Sequence, residues 1–163
     1  MTIGRICTRE IHTAEAGDTI RQAAERMRDE RVGTLLVLEE DGRPTGILTD
    51  RDICMRVVAT GKDPERNLVA DIMTAAPETV HEDEPIEDAL SKMRAHGRRR
   101  MVVVDDHDVA VGIVALDDVL ELLAEEMEQV GQLLGFQEPA KHPAEPGETS
   151  SGSFTSPASR PEQ

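Results

Sequence analysis

Seven consecutive residues, Gly46-Ile47-Leu48-Thr49-Asp50-Arg51-Asp52, carry the densest chemistry in the chain. The apolar pair before Thr49 reads as the end of a strand. The polar run after it reads as the start of a helix. A helix start leaves its first N–H groups without partners and carries the positive end of the helix dipole. Such an end favours an anion, a phosphate above all. The Thr49 hydroxyl is suited to donate to a phosphate oxygen. The Asp52 carboxylate offers acceptors that match the paired hydroxyls of a ribose. Arg51 adds a cation within the stretch, and Gly46 permits close backbone approach. A plainer reading uses the same residues. Thr49 and Asp52 also fit a capping box, in which the two side chains bond each other's backbone N–H groups.

The stretch occurs twice. With residue 5 laid over residue 71, an offset of 66, residues 5–53 match 71–119 without a gap. Ile6/Ile72, Thr8/Thr74, Thr13/Thr79, Ile20/Ile86, Met27/Met93, Gly46/Gly112 and Asp52/Asp118 are identical pairs. Ungapped self-similarity over this length is the signature of a duplicated unit. The second copy of the motif reads Gly112-Ile113-Val114-Ala115-Leu116-Asp117-Asp118. Asp118 keeps the carboxylate, but Ala115 lacks the hydroxyl. One neutral hydrogen bond is worth about 1 kcal/mol, so the second site is expected to bind more weakly or to stay empty.

The elements that must hold these motifs follow the same order in both halves. An extended lead comes first, at residues 11–14 and 78–80. A helix follows, with Asp18 and Glu84 read as caps and Thr19 and Pro85 as first helical positions. Ile20, Ala23, Ala24 and Met27 recur at helical spacing, as do Ile86, Ala89, Leu90 and Met93. The apolar runs Thr34-Leu35-Leu36-Val37-Leu38 and Met101-Val102-Val103-Val104 read as strands covered on both faces. An acidic turn, a second strand and a second helix complete each unit. The fold class expected is α/β (α+β), as two β-α-β-β-α repeats packed about a pseudo-twofold axis. The repeats span residues 5–60 and 69–135, with a polar connector at 61–68. Leu116, Val119, Leu120, Leu123, Met127, Val130 and Leu134 mark a long final helix at near-heptad spacing. That stripe suits either packing back on its own domain or contact with a second copy of the chain. The Pro-, Ser- and Glu-rich residues 136–163 are expected to be a disordered tail.

Composition removes several function classes. A net charge of −15 repels nucleic-acid backbones, and the only aromatic residues are Phe136 and Phe154. No apolar run is long enough to cross a bilayer. The opening residues show no secretory pattern, so a cytoplasmic location is expected. Cys7 and Cys54 are too few for a disulfide framework and read as reduced thiols. His12, His81, His96, His107 and His142 are scattered, without metal-ligand spacing among themselves or with the cysteines. No phosphate-binding lysine loop, activated nucleophile or framed carboxylate pair is present, so no enzymatic activity is expected.

The duplicated pattern resembles the cystathionine-β-synthase-type (CBS) domain family over residues 5–130. The Gly46–Asp52 stretch is similar to that family's nucleotide motif, a glycine, two apolar residues, a Thr or Ser, and an Asp three positions on. The resemblance implies a disc of two repeats with two clefts, binding AMP, ADP, ATP or a related adenosyl ligand and acting as a regulatory sensor. It places Thr8, Thr13, Thr74 and Thr79 in the leads that close over the base, with Leu36 and Val102 as the strand residues that sandwich it. The family often has proline where Leu36 and Val102 stand here. It also sets Arg99 or Arg100, in the Arg98-Arg99-Arg100 cluster, toward ligand phosphates. Ligand binding is thus expected chiefly in the first cleft, around Thr49 and Asp52. No obligatory cofactor is implied, and magnesium would enter with the phosphates without a dedicated site. A homodimer through the disc face or the last helix is expected, together with a regulated protein that the sequence does not name. The alternative is an interaction scaffold whose clefts are vestigial.

Overall fold

A computed structural model describes residues 1–135. The tail expected at 136–163 lies outside the described residues. The first repeat contains α1 (Ile20–Glu30), β1 (Thr34–Leu38), β2 (Pro44–Thr49) and α2 (Asp50–Ile53), which runs on as a π-helical segment, Cys54–Val58. A short helix α3 (Val69–Ile72) and strand β3 (Thr74–Ala75) follow. The second repeat has β4 (Thr79–His81), α4 (Ile86–His96), β5 (Arg100–Val104), β6 (Ala110–Ala115) and α5 (Leu116–Leu133).

The helix starts differ by one residue from the sequence reading. Thr19 and Pro85 are the N-caps, not Asp18 and Glu84. Thr19 wins because Gln22 stands three residues on. The Gln22 N–H donates to Thr19 Oγ1 at 3.2 Å and the Thr19 N–H donates to Gln22 Oε1 at 2.8 Å. Asp18 instead accepts from the Glu15 N–H in the preceding turn, at 3.0 Å. Both first helices end on a left-handed residue, Arg31 (φ 58°) and Gly97 (φ 61°), at matched repeat positions.

Two sheets form. β1 and β2 are antiparallel, and the lead touches β1 through a parallel bridge from Thr13 to Leu36. β4, β5 and β6 make the second sheet, parallel then antiparallel. The far edge of each sheet is supplied by the other repeat. β3 pairs with β2, with Thr74 opposite Ile47 and Ala75 opposite Gly46. Thr8 likewise bridges Ile113 of β6, and its N–H donates to the Ile113 carbonyl at 2.9 Å. The side chains cross over too. Val69 and Ile72 lie in the core of the first repeat, and Ile3 lies in the core of the second. The sequence repeats and the packed units are therefore offset by these segments. Between the sheets a third core, built on Leu36, Val102 and Val104, closes the pseudo-twofold interface.

The crossing explains the paired glycines. A Cβ on Gly46 would overlap the Met73 sulfur, and one on Gly112 would stand 2.7 Å from the Thr8 carbonyl oxygen and 3.1 Å from Cys7 Sγ. Met73 and Cys7 occupy matched positions of the two repeats. Burial pushes the Cys7 thiol above its ordinary value, although Arg9 opposes this. Cys7 is therefore a packing group and not a ready thiolate.

The two glycines should respond unequally to substitution. Gly112→Ala meets fixed backbone and should destabilise by about 1–3 kcal/mol, the usual range for overpacking. Gly46→Ala meets only the movable end of Met73 and should cost less. Urea unfolding of both variants checks this, and an equal or reversed order would contradict the crossing geometry.

Candidate functional site

The first motif is a complete cap in the structure. The Asp52 N–H donates to Thr49 Oγ1 at 3.2 Å, and the Thr49 N–H donates to Asp52 Oδ2 at 3.0 Å. The Thr49 hydroxyl donates to the same Oδ2 at 2.7 Å. Both side chains named for a ligand are thus bonded to each other. The other carboxylate oxygen, Oδ1, lies 3.4 Å from an Arg56 guanidinium nitrogen. That guanidinium also donates to the Ile72 carbonyl at 2.6 Å and to Thr74 Oγ1 at 3.3 Å. Asp52 and Thr74 therefore meet around Arg56, with Thr49 bonded to Asp52. Gly46 faces Met73 of the crossing segment, and Arg51 is exposed on the surface of α2.

The second motif opens on empty space. Asp118 Oδ2 accepts from the Ala115 N–H at 2.7 Å, which is half of a capping box. Ala115 and Asp118 border a cavity of about 280 Å³. Thr8 from the crossing lead and Ile113 from β6 form one wall, and residues 32–34 of the first repeat form another. Arg100, Asp117, Glu10 and His12 set its polar rim. His12 is anchored from behind, with Nδ1 2.6 Å from Glu30 Oε2. Three carboxylates thus face one guanidinium and one imidazole. The open cavity lies at the motif that sequence reasoning weighted second.

A larger cavity, about 340 Å³, sits on the outer helical face between α1 and the Cys54–Val58 segment. Its floor is apolar, with Ile20, Ala24, Ile53 and Val57, and it contains no motif residue. Ligand sites pair an apolar shape with a few convergent polar groups. Both cavities meet that description, the larger through Arg21, Glu25, Arg28 and Lys62, but only the smaller is bordered by motif residues.

The CBS domain family matches residues 3–59 and again residues 69–125. The chain belongs to the CBS-domain family. It is 33% identical to protein MK0525 of Methanopyrus kandleri over 122 residues, which is 75% of this chain but 62% of that protein. It is 35% identical to protein YlbB of Bacillus subtilis over 130 residues, covering 79% of this chain and 86% of the relative. Among solved structures it resembles the CBS domain pair of protein MJ0100, at 29% identity and a TM-score of 0.69, covering 77% of this chain and 98% of that one. The MJ0100 pair was crystallised with 5′-methylthioadenosine and S-adenosyl-L-methionine.

The remaining residues named from sequence divide within the CBS frame. Leu36 and Val102 are each 0% exposed and belong to the core between the sheets, so their side chains do not line the cavity. The reason is register. Each sits centrally in a strand whose inward face meets the other sheet, and burying such a side chain is worth about 1.5–3 kcal/mol. Thr13, in an isolated bridge from the lead, stands opposite Leu36, and Thr79 on β4 stands opposite Val102. Arg99 reaches Asp117 at 3.3 Å, an exposed pair. Sequence reasoning did not place Glu10, His12, the 32–34 segment or Arg56 at the site. The first three lie opposite the second motif only because the chain crosses over. Arg56 had a signal available, because its repeat partner is the apolar Leu122. Among the described residues no cluster of His, Cys, Asp or Glu is arranged to hold a metal ion, and no helix is long and apolar enough to cross a membrane.

The caps give a direct test of what Thr49 does. Thr49→Ala should cost about 1 kcal/mol through the lost cap, even with no nucleotide present. Ala115→Thr should complete the cap with Asp118 and raise stability by a similar amount. Thermal unfolding of the two variants in ligand-free buffer is the measurement. An unchanged Thr49→Ala protein would show that the box is not a stabilising element.

Proposed function

We propose that the chain is a non-catalytic sensor that binds an adenine nucleotide or related adenosyl ligand in the cleft beside Ala115 and Asp118. The observation that carries this reading is the cavity itself. It brings residues of both repeats together around one carboxylate that has an oxygen to spare. Asp118 would take the ribose hydroxyls. The lead at Thr8 and the strand at Ile113 would flank the base, and Arg100 would meet a phosphate. At about 280 Å³ the cavity is just under the roughly 300 Å³ at which ligand pockets ordinarily begin. That size favours a nucleoside or monophosphate over a buried triphosphate. The adenosyl ligands of the MJ0100 pair support the ligand class. Magnesium, where a polyphosphate is bound, would travel with it.

Regulation would pass to a partner protein through assembly. The first turns of α5 pack on their own repeat, through Leu116, Val119 and Leu122. Beyond them Leu123, Met127 and Val130 are 51%, 75% and 52% exposed along one stripe. Residues spaced alternately by three and four fit a second copy of the same helix. A homodimer through α5 or the helical disc face is the assembly that this stripe supports, in a cytoplasmic protein. The alternative, a scaffold with vestigial clefts, predicts the same dimer without a ligand.

Adenosine, AMP and ATP should each raise the melting temperature, since ligand bound only to the folded state stabilises it. Asp118→Ala should abolish the shift, and Asp52→Ala should leave it nearly intact. Arg100→Ala should weaken AMP and ATP more than adenosine, by about tenfold or more, as befits a charged hydrogen bond worth about 1.5–3 kcal/mol. No shift with any of these ligands at millimolar concentration would favour the scaffold. For assembly, Met127→Glu should turn a dimer into a monomer in sedimentation equilibrium. A wild-type monomer would remove the α5 interface.

A further inference from the structure

We propose that Arg56 is a built-in occupant of the first cleft, which leaves this CBS pair with one open site. Matched positions of the two repeats differ in what they meet. In the second cleft Thr8 and Asp118 border empty space. Their counterparts in the first cleft, Thr74 and Asp52, are tied together by one guanidinium. Nη2 reaches both Thr74 Oγ1 and Asp52 Oδ1, while Nη1 holds the Ile72 carbonyl at 2.6 Å. Asp52 Oδ2 is already used by the Thr49 hydroxyl and N–H. Both oxygens of the carboxylate are therefore engaged within the chain, and an incoming ribose would have to displace an internal cation.

The backbone is shaped to deliver this side chain. Arg56 sits inside the π-helical segment Cys54–Val58, closed by the Ala59 N–H on the Cys54 carbonyl at 2.9 Å. Single π turns inside helices often mark functional positions. The corresponding helix α5 runs as regular α-helix, and Leu122 at the matched position packs into the second core. The cation and the local helix distortion thus occur together, in one repeat only. The guanidinium also fastens the crossing segment, through Ile72 and Thr74, to the helix that bears the motif. A ligand entering the first cleft would have to loosen that fastening.

This inference rests on the reading of the second cleft as an adenosyl site, and its test separates the two. Adenosine titrated calorimetrically should bind wild type at one site per chain and Arg56→Leu at two. The leucine is the residue of the other repeat, so the variant keeps helix-forming character. Two sites in wild type, or one in Arg56→Leu, would overturn the occupant. A second readout needs no ligand. Guanidinium NMR should show a restrained Arg56 with separate Nη signals, released in Asp52→Asn. A freely rotating guanidinium in wild type sinks the proposal. Failure of every variant to bind adenosine, alongside a restrained guanidinium, sinks the adenosyl reading and supports the occupant.

Discussion

Two glycines, each facing a side chain that arrives from the opposite repeat, set the terms for everything else in this molecule. Gly46 makes room for Met73, and Gly112 makes room for Cys7 and the Thr8 carbonyl. These gaps let a segment of each half lie along the last strand of the other. Ile3, Val69 and Ile72 reach the foreign core by that route. The sheets gain an edge, each core gains large apolar side chains, and Thr8 and Thr74 are carried to the motif carboxylates. Without the gaps the clefts would lack a wall.

The two clefts began as copies and have diverged in charge. In the first, a carboxylate meets an internal guanidinium. In the second, Asp118 stands with Asp117 and Glu10 against Arg100 and His12. A cavity with that balance, in a chain of net charge −15, repels polyphosphates more than it repels neutral or singly charged ligands. The lost hydroxyl at position 115 is a smaller matter than this field. It removes a cap contact, while the space and the free carboxylate oxygen remain.

Much of the fold was legible because local signals were strong and doubled. The apolar runs became β1 and β5, the stripes at Ile20 and Ile86 became core faces, and the strand-to-helix junctions fell at Thr49 and Ala115. The capping reading of Thr49 and Asp52 was visible too, since three-residue spacing is a local property. Long-range pairing was not visible. Nothing in the order of residues says that Thr8 meets Ile113 instead of its own repeat, so the walls of the cavity were hidden. Leu36 and Val102 show a related limit. Hydrophobicity marks them as buried, but only the packing of one sheet on the other says against what. Arg56 was passed over because it lies outside the motif and acts across the fold on Asp52 and Thr74.

The exchanged segments also bear on how the chain is made. A ribosome releases Ile3 early, yet its berth among Val80, Met101 and Val114 is not synthesised until most of the chain is out. The first repeat waits as well, since Val69, Ile72 and β3 are needed to finish it. Contacts between residues far apart in sequence slow folding. Here they also tie completion of each half to the presence of the other. The pair is thus expected to close as one cooperative unit, and a chain cut between the repeats would leave two incomplete cores instead of one finished domain.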